Sequence, residues 1–421
     1  MQRFLHKTFF VLLCACSVNA MAQKYAGGDI SLLPTYESHG VHYLDRSGNQ
    51  IADPLKYWGD SAHWNAMRVR LFVDPSKASS THQGEGVRQD LNYVTSLGKR
   101  IKDNGYAFML DFHYSDTWTD PGQHSTPASW TSSNPTVLAD SIYSYTKRCL
   151  QHLVAAGATP DFIQPGNEIT NGMLWPTGHC YANEQSVDGG SFTNFANYLK
   201  AGIRACKEVC PRAKIILHTE LSNNGWGAMN IYKTFDKYDV DYDIIGLSYY
   251  PDFHGPLSTL RTVLNTLESQ EPSKDIMIVE TGYGAQWQLG GESYTTSQLG
   301  WDTSVAGQKQ FTDDLITELG MHQKVTGLFW WLPEDNEFWA DSNPARSSWW
   351  NASLYIQNTG KPTYAMFEMQ KFIGLDPTGI NTIHTTTRPN SSDAYYNLQG
   401  QQVSKPRHGL YIHEGKGKMV K

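Results

Sequence analysis

Residues 66–73 read Ala-Met-Arg-Val-Arg-Leu-Phe-Val, residues 107–113 read Ala-Phe-Met-Leu-Asp-Phe-His, and the amphipathic stretch Asp90–Asn104 lies between them. Each short run is rich in apolar residues, as a buried strand is, whereas the longer stretch has the apolar spacing of a helix. Asp90 is a suitable N-cap for that helix, and Gly105 is a typical stop signal. This segment therefore predicts one strand–helix–strand unit of an α/β fold.

The same alternation extends from Tyr25 to about Phe372. Eight runs have the composition of strands: Ala26–Ile30, Ala66–Val73, Ala107–His113, Phe162–Glu168, Lys214–Glu220, Ile244–Tyr250, Ile276–Glu280 and Val325–Trp331. Further helical patterns lie between them, including Val137–Ala156, Phe192–Val209, Leu257–Ser269 and Gly307–Leu319. Eight strands separated by helices favour a closed (β/α)8 barrel over an open sheet. We expect this barrel to span residues 23–375.

The N-terminal end has the features of an export signal. A basic start and a short apolar run precede Ala20-Met21-Ala22, which fits the small-x-small cleavage rule, so residues 1–22 are predicted to be a signal peptide. Leu13-Cys14-Ala15-Cys16 also fits a lipidation box centred on Cys16, which would attach the chain to a membrane. Simple cleavage is the favoured interpretation. Either route exports the protein, whether secreted, periplasmic or on the cell surface.

The C-terminal end is polar and rich in turn residues. Residues 376–393 predict a linker, and residues 394–421, in which short apolar runs alternate with Gly and Pro, predict a small β-rich appendage. This tail resembles the C-terminal modules of secreted proteins from some Gram-negative bacteria. We expect it to serve sorting or stability rather than catalysis.

Composition narrows the classes of ligand. The net charge is −7, and no cluster of Lys or Arg is present that would neutralise phosphates, so nucleic acid is not expected as a partner. The 15 histidines lack metal-ligand spacing, and no phosphate-binding glycine loop occurs, so neither a metal nor an organic cofactor is expected. Many of the 13 tryptophans and 23 tyrosines lie in Gly/Pro/Asp-rich stretches, which indicates a ligand with flat apolar faces.

Four cysteines remain after the predicted signal peptide: Cys149, Cys180, Cys206 and Cys210. They are too few to form a disulfide framework in a chain of this length. Cys206 and Cys210 share one helical face, where a metal pair is conceivable, but no further ligand is close in sequence. Buried free thiols are therefore the favoured interpretation.

Two glutamates end predicted strands at the face where barrel active sites lie. Glu168 closes the run Gln164–Glu168, and Glu280 closes the predicted seventh strand. Hydrolysis of an acetal requires an acid that protonates the departing oxygen and a carboxylate that stabilises or attacks the positive centre. The two glutamates are therefore the candidate catalytic pair, with a salt bridge or a helix cap as the alternative for either one alone. In a retaining enzyme their carboxyl groups are expected about 5–5.5 Å apart.

The second predicted strand places Arg68 and Arg70 on one face, which we expect to point into the barrel. A buried Arg requires carboxylate partners, and we expect it to keep Glu280 ionised by lowering the pKa of that carboxyl group. Sugar rings pack their C–H faces on aromatic planes. Trp118 and Trp331 are therefore candidate stacking platforms, with core packing as the alternative for each.

Several segments, in order along the predicted barrel, resemble glycoside hydrolase family 53, the endo-β-1,4-galactanases. They are Gly27–Ser31, Arg68–Pro75, Asp111–Gly122, Gly166–Glu168, Ser248–Pro251 with His254-Gly255, and Glu280–Tyr283. Asp111–Gly122 is long and distinctive, whereas Asn-Glu is shared by a whole clan of barrels.

The resemblance implies a monomeric, retaining endo-β-1,4-galactanase that cuts pectic galactan or type I arabinogalactan. It implies that Glu168 is the acid/base, that Glu280 is the nucleophile, and that Asn167 holds the sugar 2-hydroxyl. It also implies a hydrogen bond to the nucleophile from a tyrosine of the sixth strand, which we assign to Tyr249. The other expected substrate-binding residues are Arg70, Asp111, His113, Trp118 and Trp331.

Two departures from the family pattern are present. Leu332 stands where many members have Glu before a proline, and the loop at 286–292 lacks the Asp/His/Asn cluster through which some bacterial members bind calcium. We therefore do not expect a calcium site in this chain. The alternatives are another retaining glycanase of the same clan, such as a mannanase or glucanase, and a non-catalytic glycan-binding barrel. Asp111–Gly122 argues against the first, and the two glutamates with Asn167 argue against the second.

The connections after the seventh and eighth strands, Thr281–Thr303 and Leu332–Lys361, are longer than usual for a barrel. We expect them to wall an open cleft with aromatic platforms, whereas the alternative is that their rings only pack the loops in place. The aromatic residues in question are Tyr283, Trp287, Tyr294, Trp301, Trp339, Trp349 and Trp350.

Overall fold

The computed structural model describes residues 23–288, 292–338 and 350–375, together with the backbone of four short strands between 395 and 420. The chain divides into two compact units, with the boundary between Ile380 and Asn381. The predicted signal peptide and the predicted linker lie outside the described residues.

Eight parallel strands close into one barrel, in which each strand pairs with the next along the chain and the first pairs with the last. The strands are β1 Tyr25–Asp29, β2 Ala66–Leu71, β3 Ala107–Phe112, β4 Phe162–Pro165, β5 Lys214–Thr219, β6 Ile244–Tyr249, β7 Asp275–Thr281 and β8 Val325–Trp331. The predicted (β/α)8 barrel is thus confirmed. The predicted fourth strand ran on to Glu168, but β4 ends earlier because Gly166, with φ 115°, turns the backbone away.

Helices follow the strands and cover the barrel. They are α1 Leu33–Ser38, α2 Pro54–Ala62, α3 Ser80–Gly84, α4 Leu91–Asp103, α5 Pro135–Ala155, α6 Phe192–Val209, α7 Gly225–Lys237, α8 Pro251–His254, α9 Leu257–Gln270, α10 Thr296–Leu299, α11 Val305–Leu319 and α12 Ala365–Glu368. The expected cap of α4 is present, because the Asp90 carboxylate accepts a hydrogen bond of 2.8 Å from the Tyr93 amide.

The barrel interior changes character from one end to the other. An apolar cluster, which includes the first residues of β2, β4 and β6, fills part of it: Ala66, Met109, Phe162, Ile216, Ile244, Met277, Val279 and Phe329. Towards the strand ends the interior holds fully buried polar side chains instead, among them Arg68, Asp111, Gln164 and His218. Buried polar groups require partners, so this end of the barrel is the place to look for chemistry.

Short strands lie beyond the barrel strands. β9 Tyr355–Ile356 pairs with β10 Lys361–Pro362. In the second unit β11 Tyr395–Tyr396, β12 Gln402–Val403, β13 Gly409–His413 and β14 Lys416–Val420 form an antiparallel sheet in the order β12-β11-β13-β14. The predicted small β appendage is thus confirmed.

The four cysteines of the barrel unit are buried free thiols, as the sequence suggested. No helix within the described ranges combines the length and the apolar character that a membrane crossing requires.

Candidate active site

A cleft of about 530 Å³ opens at the C-terminal ends of the strands. Both predicted catalytic glutamates line it, as do Asn167, Trp118 and Trp331. Active sites of (β/α)8 enzymes lie at this face. The cleft is therefore the candidate active site.

Glu168 follows β4 in a strained backbone conformation. Its φ of 43° lies in the left-handed region, which is costly for a residue with a side chain and is typical of functional sites. Its Oε1 lies 2.6 Å from Ser248 Oγ. Burial, followed by the nearby carboxyl groups of Glu280 and Glu220, raises the pKa of Glu168 well above the ordinary value. The site thus favours a protonated Glu168.

Glu280, on β7, has the opposite kind of neighbour. Arg68 Nη1 lies 2.9 Å from its Oε1, and the Tyr250 hydroxyl donates a hydrogen bond of 2.8 Å to its Oε2. Burial raises the pKa of Glu280 to about 7, and Arg68 and Tyr250 oppose that rise. Arg68 lowers this pKa, as expected, but burial outweighs the cation, so the net shift is upward. Among the described residues, a cation lies against Glu280 and none against Glu168, so Glu280 is the more readily ionised of the two.

Arg68 organises the floor of the cleft. Its guanidinium donates four hydrogen bonds of 2.7–3.0 Å, to Gln164, Asp29, Asp111 and Asn167. Its Nη1 also forms an ion pair with Glu280 Oε1, at 2.9 Å. One cation therefore orients both the nucleophile candidate and the amide beside Glu168.

Replacing Arg68 by Met should destabilise the fold strongly. The change leaves three buried carboxylates without their shared cation, and breaking such a buried pair costs about 3–5 kcal/mol. Chemical denaturation followed by circular dichroism measures the free energy of unfolding. Arg70→Met is the matched control, because Arg70 makes one carboxylate contact, to Asp29 at 2.9 Å. Equal losses in the two variants would contradict the organising role of Arg68.

The other predicted substrate-binding residues lie behind the cleft. Arg70 and Asp111 are fully buried, and the rings of Trp118 and Trp331 cover the Arg70 guanidinium at 4.7 and 5.0 Å. His113 is also buried, with its Nε2 3.2 Å from Asp111 Oδ2. These three residues therefore support the lining residues and do not line the cleft themselves.

The tyrosine that contacts the nucleophile candidate is Tyr250, whereas Tyr249 was expected. The Tyr249 hydroxyl donates to Gly255 O at 2.8 Å, and its side chain is fully buried away from the cleft. Ser248 pairs with Glu280 next to an irregularity in the β6–β7 register. Since side chains alternate along a strand, Ser248 and Tyr250 face the barrel interior and Tyr249 faces outward.

Further cleft residues were not singled out from the sequence. Glu220, directly after β5, lines the cleft and accepts a hydrogen bond from Thr170 Oγ1 at 2.5 Å. Burial raises its pKa. Asp120 also lines the cleft. The strand-ending position of Glu220, which it shares with the two predicted glutamates, was the available signal.

The aromatic residues of the loop after β7 divide into two groups. Tyr283 and Trp301 are buried, the Tyr283 hydroxyl donates to Trp301 O at 2.6 Å, and both rings pack on Phe311 of α11. The prediction that these two rings wall the cleft is therefore wrong. Trp287 is 38 % exposed, and Tyr294 is partly buried. Of the loop after β8, Trp339, Trp349 and the side chain of Trp350 lie outside the described residues.

No group of three or more His, Cys, Asp or Glu side chains within the described ranges has an arrangement that could hold a metal ion. Residues 289–291, in the loop that binds calcium in some family members, lie outside those ranges.

Comparisons with known proteins identify the family of this chain. The family described as "Glycosyl hydrolase family 53" matches residues 25–369. A probable arabinogalactan endo-beta-1,4-galactanase A from Neosartorya fischeri is 32% identical over 339 residues, covering 77% of this chain and 87% of the relative. The arabinogalactan endo-beta-1,4-galactanase A of Emericella nidulans is 30% identical over 347 residues, covering 80% and 91%.

A solved structure extends the likeness to three dimensions. The Ignisphaera aggregans GH53 catalytic domain superposes with a TM-score of 0.73 at 28% identity, over 83% of this chain and 96% of that one. The match of the family to nearly the whole barrel, together with these relatives, leads to one conclusion: this chain belongs to glycosyl hydrolase family 53.

Proposed function

We propose that this protein is a retaining endo-β-1,4-galactanase that hydrolyses β-1,4-galactosidic linkages in pectic galactan and type I arabinogalactan. The observation that carries the mechanism is the unequal surroundings of two glutamates in one cleft. Arg68 and Tyr250 favour the ionised form of Glu280, whereas two carboxyl groups oppose ionisation of Glu168. The names of the relatives support the galactan substrate.

In the first step the Glu280 carboxylate attacks the anomeric carbon and forms a glycosyl–enzyme ester. Glu168 gives its proton to the glycosidic oxygen, and the bond from that oxygen to the anomeric carbon breaks. Asn167, held by Arg68 at 2.9 Å, is placed to bind the sugar 2-hydroxyl. The departing galactan segment leaves as a neutral alcohol.

In the second step water takes the place of the departed segment. The ester has removed the negative charge of Glu280, which is a cause of the high pKa of Glu168. The pKa of Glu168 therefore falls in the intermediate, and its carboxylate can take a proton from the water. That water attacks the anomeric carbon, the bond from this carbon to the Glu280 oxygen breaks, and the sugar is released with its original configuration.

The first product should be the β-anomer, because two inversions restore the starting configuration. Proton NMR during the first minutes of galactan hydrolysis distinguishes it from the α-anomer before mutarotation. Chromatography of the same reaction should show short galacto-oligosaccharides, whereas mannan and β-glucan should remain uncut. An initial α-product would exclude double displacement, and preferential cleavage of mannan or glucan would assign the chain to the rival activity.

Trp287 remains a candidate platform for sugars remote from the cleavage point. Trp287→Ala should weaken binding of long galacto-oligosaccharides and leave turnover of short ones nearly unchanged, because stacking adds binding energy without touching the chemistry. The measurement is kcat/KM as a function of chain length. Trp301→Ala is the control, because the buried Trp301 ring should affect the melting temperature and not the chain-length preference. An unchanged preference in Trp287→Ala would contradict the platform role.

The ends of the chain complete the proposal. We propose that residues 1–22 direct export and are then removed. Residues 23–375 form the catalytic domain, and residues 376–393 link it to the tail. The enzyme is a monomer that acts on its polysaccharide outside the cytoplasm. The mass of the mature protein tests the signal. A mass that corresponds to a chain starting at Gln23 supports simple cleavage. A mass that corresponds to a chain starting at a lipid-modified Cys16 indicates an anchor.

A further inference from the structure

Behind Glu168 a line of hydrogen-bonding groups leads into the barrel. Glu168 Oε1 lies 2.6 Å from Ser248 Oγ, and that hydroxyl lies 2.8 Å from His218 Nε2. His218 Nδ1 in turn lies 3.0 Å from Asn167 Oδ1. His218 and Ser248 are fully buried. The direction of each hydrogen bond can therefore be worked out from the partners at the far end of the line.

Asn167 fixes that far end. Its Oδ1 accepts a hydrogen bond of 2.9 Å from Arg68 Nη2, and its Nδ2 donates one of 2.7 Å to Thr119 O. Both contacts require the same orientation of the amide, so the atom that faces His218 is an oxygen, which can only accept. His218 Nδ1 must carry the hydrogen. The Glu168 backbone N–H also points at Nδ1, but that contact, at 3.4 Å, is the longer of the two, and a bare Nδ1 would set its lone pair against Asn167 Oδ1 at 3.0 Å.

The opposite nitrogen of the ring is bare. Burial, and then the cation of Arg68, lowers the pKa of His218 well below its ordinary value, so the ring is neutral and holds a single N–H. With that hydrogen on Nδ1, Nε2 accepts from the Ser248 hydroxyl. A serine hydroxyl has one hydrogen and two lone pairs. Ser248 thus presents a lone pair to Glu168, and the contact of 2.6 Å with Oε1 is made by the Glu168 proton. Donation by Ser248 to Glu168, which would lower the pKa of that carboxyl group, requires the hydroxyl hydrogen that His218 accepts.

We propose that His218 and Ser248 are positioning residues that keep the catalytic proton on Glu168. This inference rests on the proposed role of Glu168 as the acid. When Glu168 loses its proton, Ser248 must rotate to donate to the new carboxylate, and His218 Nε2 is then left without a donor in a buried site. An unsatisfied buried group is costly, so the pair opposes ionisation of Glu168 until the departing sugar takes the proton.

Other titratable and charged groups face this line from the surrounding elements and act on it through their charge. Those around Glu168 are Glu280 on β7, Tyr250 after β6, Glu220 after β5, and Asp120 and His124 after β3. Those around His218 are Arg68 on β2, and Asp111 and His113 on and after β3. The effect of His218, in contrast, passes through the single hydrogen of Ser248.

Because the effect of His218 requires the Ser248 hydroxyl, it can be tested with and without that hydroxyl. The quantity to measure is the pH at which the alkaline limb of kcat/KM falls on a galacto-oligosaccharide. His218→Phe removes the acceptor and frees Ser248 to donate to ionised Glu168. The alkaline limb should therefore move to lower pH by about one unit, the equivalent of one hydrogen bond. In a Ser248→Ala background the same His218 substitution should leave the limb in place. A shift of equal size in both backgrounds, or no shift in either, would overturn the proposal.

The wild-type enzyme provides a second measurement that does not depend on any variant folding. Nitrogen-15 NMR distinguishes a protonated from a bare ring nitrogen, and the His218 signals are assigned in the wild type by through-bond connectivity to its own backbone resonances. We expect Nδ1 to be protonated and Nε2 bare at the pH of maximal activity, and a hydrogen on Nε2 would overturn the proposal. The tautomer is measured without substrate, so cleavage of galactan by the wild type tests the proposed function separately.

Discussion

Glu280→Ala should lower kcat on galactan by on the order of 10⁵-fold, the scale seen when a catalytic nucleophile is removed. Without the carboxylate no glycosyl–enzyme ester forms, and water has no positioned base on that face of the sugar. Added azide should occupy the vacated space and restore turnover of an activated aryl galactoside. Its product should be the α-galactosyl azide, because only one inversion then takes place.

Glu220→Gln is the matched control for that experiment. Glu220 is a carboxyl residue of the same cleft, and no Arg within the described ranges contacts it as Arg68 contacts Glu280, at 2.9 Å. The Glu220→Gln variant should retain most of the wild-type kcat on galactan. If Glu220→Gln lost as much activity as Glu280→Ala, or if azide returned the β-azide, Glu280 would not be the nucleophile.

Glu168→Ala should discriminate between leaving groups. General acid catalysis contributes about 10²–10⁴-fold, and a galactan segment leaves as a poor alkoxide unless it is protonated. An activated aryl galactoside needs little protonation. Turnover of the polysaccharide should therefore fall by that factor, whereas formation of the glycosyl–enzyme from the aryl substrate should be nearly preserved. Pre-steady-state release of the phenol measures that step, and equal losses on both substrates would contradict the acid role.

The pH dependence should change together with the substrate preference. Since the raised pKa of Glu168 determines the alkaline limb of kcat/KM, Glu168→Ala should abolish that limb on the aryl substrate. The acidic limb reports ionisation of Glu280 and should remain. Survival of the alkaline limb would mean that another group supplies the proton.

Much of the architecture could be predicted because its determinants are local. Helix α6 has the predicted bounds Phe192–Val209, and the side chain of Ser191 caps its first turn. The apolar runs that became strands were each visible within a few residues. Glu168 and Glu280 stood out because a polar residue that closes an apolar run is unusual, and the strand direction places every such residue at one end of the barrel.

What could not be predicted depends on contacts between distant segments. The choice between Tyr249 and Tyr250 depends on the register of β6 against β7, which is irregular at Ser248. Tyr283 and Trp301 of the loop after β7 pack on Phe311 of helix α11. The sequence does not show that this loop folds back against the helix. The pKa of Glu280 depends on the balance between burial, which raises it, and the Arg68 cation, which lowers it. The sequence indicated the cation but not the extent of burial.

The five polar partners of Arg68 are contributed by β1, β3, β4, β7 and the turn after β4. Four of these five partners lie in the strands themselves, so the strands hold the side chains around Glu280 in place from inside the barrel. The described parts of the longer loops after β7 and β8 contribute none of these contacts. Exchanging those loops for the corresponding loops of a related enzyme is thus a rational route to new polysaccharide specificities, because the chemistry would be inherited intact from the scaffold.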